Sequence, residues 1–143
     1  MKKTLLAVMA VLMMSVMLIA GCSSGEEAAP AADKKSGTTT IGFSISTLNN
    51  PFFVSVKDGV EAKAKELGVN VKIVDAQNDP AKQANDVADL LQQGVSVLLV
   101  NPVDSAAIST SVEAANKAKI PVIALDRSAD KGTIASLVAS DNV

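Results

Sequence analysis

From Thr38 onward the chain alternates two hydrophobic patterns. Thr39–Ile45 is a short run rich in β-branched residues. Gly68–Val74 and Gly94–Val100 echo one another, and Ile120–Leu125 is a looser third copy. The later runs are almost continuously apolar, the signature of strands covered on both faces in a parallel sheet. Between them, apolar positions recur at spacings of three and four, which predicts helices with one buried stripe. Phe53, Val56, Val60, Ala64 and Leu67 form the first stripe, Ala84, Val87 and Leu91 the second, and Ile108, Val112 and Ala115 the third.

Punctuation along the chain supports this order. Gly68 is placed to end the first helix in a left-handed cap. Asp79-Pro80 offers an N-cap followed by proline at the first helical position, and Gly94 stops that helix. Asp104 is expected to cap a third helix from about Ser105 to Lys119, with Pro121 beyond it. Gly59, inside the first helix, costs about 1 kcal/mol against alanine; a close approach of helix to sheet would account for it. With a fifth strand at Ile134–Ala139 the order is β-α-β-α-β-α-β-β. Strands alternating with helices predict a doubly wound, Rossmann-like α/β fold with a parallel sheet.

The first 22 residues read differently. Lys2 and Lys3 precede an apolar run at Thr4–Ala20, and all five methionines lie within the first 17 residues. A charged start, an apolar middle and small residues at the end mark an export signal. A spanning helix is the competing reading, since the run is at the lower limit of a membrane-crossing length. Ile19-Ala20-Gly21-Cys22 resembles the lipobox of bacterial lipoproteins, which implies cleavage before Cys22 and lipidation of its sulfur, with the protein facing outward at the cell envelope. Cys22 is the single cysteine, so no intrachain disulfide forms, and lipidation explains a lone exported thiol. Residues 23–37 contain Ser, Gly, Ala, Glu, Lys and Pro30 without a large apolar side chain, a composition suited to a flexible linker. Residues 38–143 then form the domain.

Charge and composition narrow the chemistry. Without Lys2 and Lys3, 11 basic residues face 15 acidic ones, a net of −4; no basic cluster suits nucleic acid. There is no histidine, which removes the commonest general base and, with the cysteine at the lipid site, the usual zinc ligands. No phosphate-binding glycine motif occurs. These points speak against an enzyme and predict no catalytic residue, metal or cofactor.

In a parallel sheet the strand carboxyl ends share one edge, where ligands bind. That edge gathers Ser46–Asn50, Ala76–Asp79, Asn101–Asp104, Asp126–Arg127 and Ser140–Asn142. Asp79 and Asp104 are accounted for as caps and Asn78 as a turn residue. Asn50 and Asn101 each precede a proline, so turn formation and ligand contact are equally open for them. Asp126 beside Arg127, the single arginine, sets an acceptor next to a fork of donors, a pairing suited to vicinal hydroxyls. Phe52 and Phe53 point about 100° apart on a helix. Phe53 fits the core stripe, leaving Phe52 to meet the C–H face of a sugar, although packing at the helix start would also account for both.

Together, Ser46-Thr-Leu-Asn-Asn-Pro-Phe-Phe53, Asp75-Ala-Gln-Asn-Asp-Pro80, Asn101-Pro-Val-Asp-Ser105, Leu125-Asp-Arg127 and Ala139-Ser-Asp-Asn142 resemble the amino-terminal lobe of bacterial ribose-binding proteins, the periplasmic sugar receptors of ABC importers. The resemblance runs in order through Thr40–Val143. It implies one lobe of a two-lobe fold and a membrane permease as partner. It also implies ribose or a similar monosaccharide as ligand, held by Asn50, Asn101, Asp126 and Arg127 and stacked on Phe52 and Phe53. Ser140, Asp141 and Asn142 would lead into a hinge. A second lobe is expected beyond Val143, and without it residues 23–143 are expected to bind ribose weakly. A chemosensory receptor subunit, or an α/β enzyme acting on a small polar substrate, are the alternative readings.

Overall fold

The computed structural model describes residues 39–141. The expected export signal, the Cys22 lipidation site, the linker and Asn142 lie outside the described residues. The elements are β1 (Thr40–Ile45), α1 (Pro51–Leu67), β2 (Asn70–Asp75), α2 (Pro80–Gln92), β3 (Val97–Val100), α3 (Ser109–Lys117), β4 (Val122–Leu125) and β5 (Ser136–Val138). All pairings are parallel, in the spatial order β2-β1-β3-β4-β5. The order reverses between β1 and β3, so their carboxyl ends flank the switch point at which open α/β sheets bind ligands.

Local chemistry sets the boundaries. Asn50 adopts an extended backbone and its side chain accepts the Phe52 N–H, with Pro51 opening α1. At the other end Gly68 has φ 68°, and the Gly68 and Val69 N–H groups donate to the Lys65 and Ala64 carbonyls. This double closure requires the left-handed residue that glycine adopts freely. Asp79 caps α2 through Ala81 and Lys82, with Pro80 at the first turn. Asp104 holds the Ala106 and Ala107 N–H groups at 3.0 and 2.7 Å. It organises a turn over 105–108, and α3 begins only at Ser109, later than the expected Ser105. The strands likewise begin later than the apolar runs, whose first residues are the turns that enter them.

The main core joins α2, α3 and the inner strands through Val87, Leu90, Leu98, Val100, Ile108, Val112 and Val122. Gly42 on β1 permits this packing: a Cβ there would lie 3.1 Å from Val95 and 3.2 Å from Leu90. Phe43 and Ile45, on the alternate face of β1, are fully buried. Three sequence expectations need correction. On α1 only Ala64 is buried, and Leu67 is 62 % exposed. On α2 the buried positions are Gln83, Val87 and Leu90, with Ala84 and Leu91 at the flank. An added Cβ at Gly59 meets nothing within 4 Å, so close helix–sheet contact does not explain that glycine.

Candidate functional site

The start of α1 and the carboxyl ends of β3, β4 and β5 surround a cavity of about 240 Å³. Phe52 and Phe53 form one wall, Asn101 and Asp126 supply polar groups, and Val138 and Ser140 approach from β5. Of the residues singled out from the sequence, Phe52, Phe53, Asn101, Asp126 and Ser140 border this cavity.

The two rings meet edge to face, 5.3 Å between centroids and 67° between planes. Phe52 is 48 % exposed and Phe53 half-buried, and both border the cavity. The division that sent Phe53 to the core and Phe52 to the rim therefore gives way to a shared aromatic wall. Exposed aromatic surface beside convergent polar groups suits a ligand with an apolar face and hydroxylated edges.

Asn101 is buried at the end of β3. Its Oδ1 accepts from the Ser46 N–H at 3.2 Å and from the Ser46 hydroxyl, while Nδ2 donates to the Leu125 carbonyl at 3.0 Å. One side chain thus ties together the ends of β1, β3 and β4. Asn101 also borders the cavity, and its amide carries a second hydrogen besides the one given to Leu125. Asn50 stands differently: it is exposed, and its Oδ1 is engaged as the cap of α1 at 3.0 Å from the Phe52 nitrogen. It does not border the cavity, although the helix it starts carries both rings.

Asp126 sits at φ 64°. The Arg127 N–H reaches back to the Leu125 carbonyl at 2.7 Å, and the Asp126 N–H donates to Val138 at 2.7 Å. A bond from residue i+2 to residue i around a positive φ is the rare, strained form of the γ-turn. Such strain persists where surrounding structure over-determines it, here through the β5 bond. Arg127 is exposed, lies outside the cavity lining, and donates its guanidinium to the Val103 carbonyl. Asp126 and Arg127 are therefore adjacent in sequence but face different partners. Of the three expected hinge residues, Ser140 borders the cavity and Asp141 is exposed.

Sequence reasoning missed Gln83. It is 1 % exposed on α2 and bonds Ser44, Asn101 and Val103. The available signal was its spacing: positions 83, 87 and 90 form one helical face. Ser44, Ser46 and Thr47 are also buried, so the β1 end is a packed polar corner. Among the described residues, no cluster of side chains suits a metal ion and no helix is long and apolar enough to cross a membrane.

Residues 41–143 match the family model of the periplasmic binding protein domain. The chain belongs to that family. The ribose import binding protein RbsB of Bacillus subtilis is 54% identical over 139 residues, covering 96% of this chain and 46% of that protein. The Caulobacter myo-inositol binding protein, solved with myo-inositol, superposes with a TM-score of 0.70 at 33% identity, over 76% of this chain and 37% of that one. The periplasmic binding protein of the Shewanella sp. ANA-3 arabinose ABC transporter gives 0.67 at 31% identity, over 72% and 35%. The chain thus spans less than half the length of each of these proteins.

Proposed function

We propose that this chain is the first lobe of a sugar receptor, with ribose as its ligand, that delivers its cargo to the permease of an ABC importer. The carrying observation is the aromatic-walled cavity with Asn101 and Asp126 at the carboxyl edge of the sheet. Rings of this kind stack on the C–H face of a furanose or pyranose, while amide and carboxylate groups match its hydroxyls. Its volume is below the roughly 300–1,000 Å³ of complete small-molecule pockets, consistent with a ligand shared between two lobes that close around it. The 54% identity to a ribose import binding protein favours ribose. Cys22, following Ile19-Ala20-Gly21, would carry the lipid that holds the receptor at the membrane surface.

The test joins this chain to the remaining half of the Bacillus subtilis relative and titrates ribose, arabinose and myo-inositol by calorimetry. Tight ribose binding by the fusion, with much weaker binding by this chain alone, is expected. A folded fusion that binds none of the three, or that chemically converts ribose, overturns the proposal. Incorporation of labelled palmitate in a bacterial host, abolished by Cys22→Ser, tests the anchor.

A further inference from the structure

We infer that Gln83 is the positioning residue of the rim, a buried amide on α2 that sets the orientation of both Asn101 and Arg127. The functional consequence rests on the sugar-binding reading; the positioning itself does not.

Residues 101–103 form the segment leaving β3, and their backbone groups need partners because Asn101 and Pro102 are buried. The Asn101 N–H donates to the Ser44 carbonyl at 2.8 Å. Pro102 has no N–H to offer. Gln83 partners two more of the segment's backbone groups: Nε2 donates to the Asn101 carbonyl at 2.9 Å and Oε1 accepts from the Val103 N–H at 2.9 Å. Its second Nε2 hydrogen reaches the Ser44 hydroxyl at 3.2 Å. Among the twenty side chains, only a primary amide presents an acceptor and two donors in this fork.

From that anchored segment two side chains of the rim take their places. The Asn101 side chain reaches Ser46 and Leu125, and the Val103 carbonyl receives the Arg127 guanidinium. Gln83 does not itself line the cavity; its one bond to a lining residue is to the Asn101 backbone carbonyl, and its link to Arg127 runs through Val103. It acts through residues 101–103, from the face of the sheet covered by α2. An amide in an apolar helix stripe otherwise carries a desolvation cost of roughly 1–3 kcal/mol when unpaired, so its presence at a core position is explained by these three bonds.

The experiment uses the 143-residue chain and reads the Asn101 side-chain amide and the Arg127 guanidinium by NMR hydrogen exchange. Gln83→Met keeps the volume and removes the bonds; Val87→Ala, one turn along the same face, serves as a control for general destabilisation. Gln83→Met is expected to speed exchange at Asn101 by about tenfold or more and to shift the Arg127 signals, at a melting temperature where Val87→Ala leaves both unchanged. Equal behaviour of the two variants, or no change in Gln83→Met, overturns the inference. Should Gln83→Met not fold, Gln83→Glu decides. Burial raises the carboxyl pKa, so at about pH 5 the neutral acid still donates to Asn101, and near pH 8 the anion opposes that carbonyl. Native-like Asn101 signals at the lower pH that are lost at the higher one support positioning; signals independent of pH overturn it. In the two-lobe fusion, Gln83→Met is expected to weaken ribose binding at least tenfold. Failure of the parent fusion to bind sugar sinks the proposed function and leaves the exchange result standing.

Discussion

The Asn50 side chain accepts the Phe52 backbone N–H at 3.0 Å, so the residue that starts α1 also fixes the turn that presents its first ring. Removing that acceptor in Asn50→Ala is expected to cost about 1 kcal/mol, which lowers the melting temperature of a domain this size by roughly 4–8 °C. Asn50→Ser keeps a capping oxygen and should recover most of the loss. Thermal melts of the three proteins check this. If Asn50 also contacts the sugar, the serine variant of the fusion will be stable yet weakened in ribose titration.

Phe52 separates binding from folding more cleanly. Nearly half of its surface is exposed, so Phe52→Ala should change stability by less than about 1 kcal/mol. In the two-lobe fusion the same change should reduce ribose affinity at least tenfold, a difference of about 1.4 kcal/mol. Unchanged affinity would remove the ring from the site.

Asn101 and Ser46 form a coupled pair. Asn101→Ala leaves the Ser46 and Leu125 groups without their partner, an expected loss of about 1–3 kcal/mol for a buried unsatisfied group. Because the two residues share bonds, Ser46→Ala and Asn101→Ala should be non-additive by at least about 0.5 kcal/mol. A urea double-mutant cycle measures that coupling, and strict additivity would show that the strand ends are held by other contacts.

Two glycines should respond in opposite directions. At Gly59, inside a helix and facing open space, alanine is expected to add about 0.5–1 kcal/mol of stability. At Gly132 the φ of 90° and a Val112 methyl carbon 2.6 Å from an added Cβ make alanine strongly destabilising. Melting temperatures of Gly59→Ala and Gly132→Ala suffice to compare them.

Much of this architecture was legible because its signals are local. The Asn50-Pro51 and Asp79-Pro80 starts, the Gly68 stop and the apolar strand runs each declare themselves within a few residues. What escaped depends on partners distant in the chain. Gln83 looks like a surface residue until Asn101 and Val103 supply its bonds, and a hydropathy stripe moves to Ala84 and Leu91 when it passes over an amide. Arg127 reads as a partner for its neighbour Asp126, yet the turn at Asp126 sends the guanidinium to Val103. Successive side chains such as Phe52 and Phe53 diverge along a helix, yet the two rings pack edge to face and both border one cavity.

The turn at Asp126 also restricts what that position can become. Its φ of 64° excludes β-branched side chains on steric grounds and tolerates aspartate, asparagine and glycine. Valine, isoleucine or threonine there would have to break the bond to Val138 or distort the end of β4. The backbone at this corner thus favours a carboxylate, an amide or bare backbone as its hydrogen-bonding group. On the proposed site, retuning of ligand preference through position 126 comes at least cost within those three chemistries.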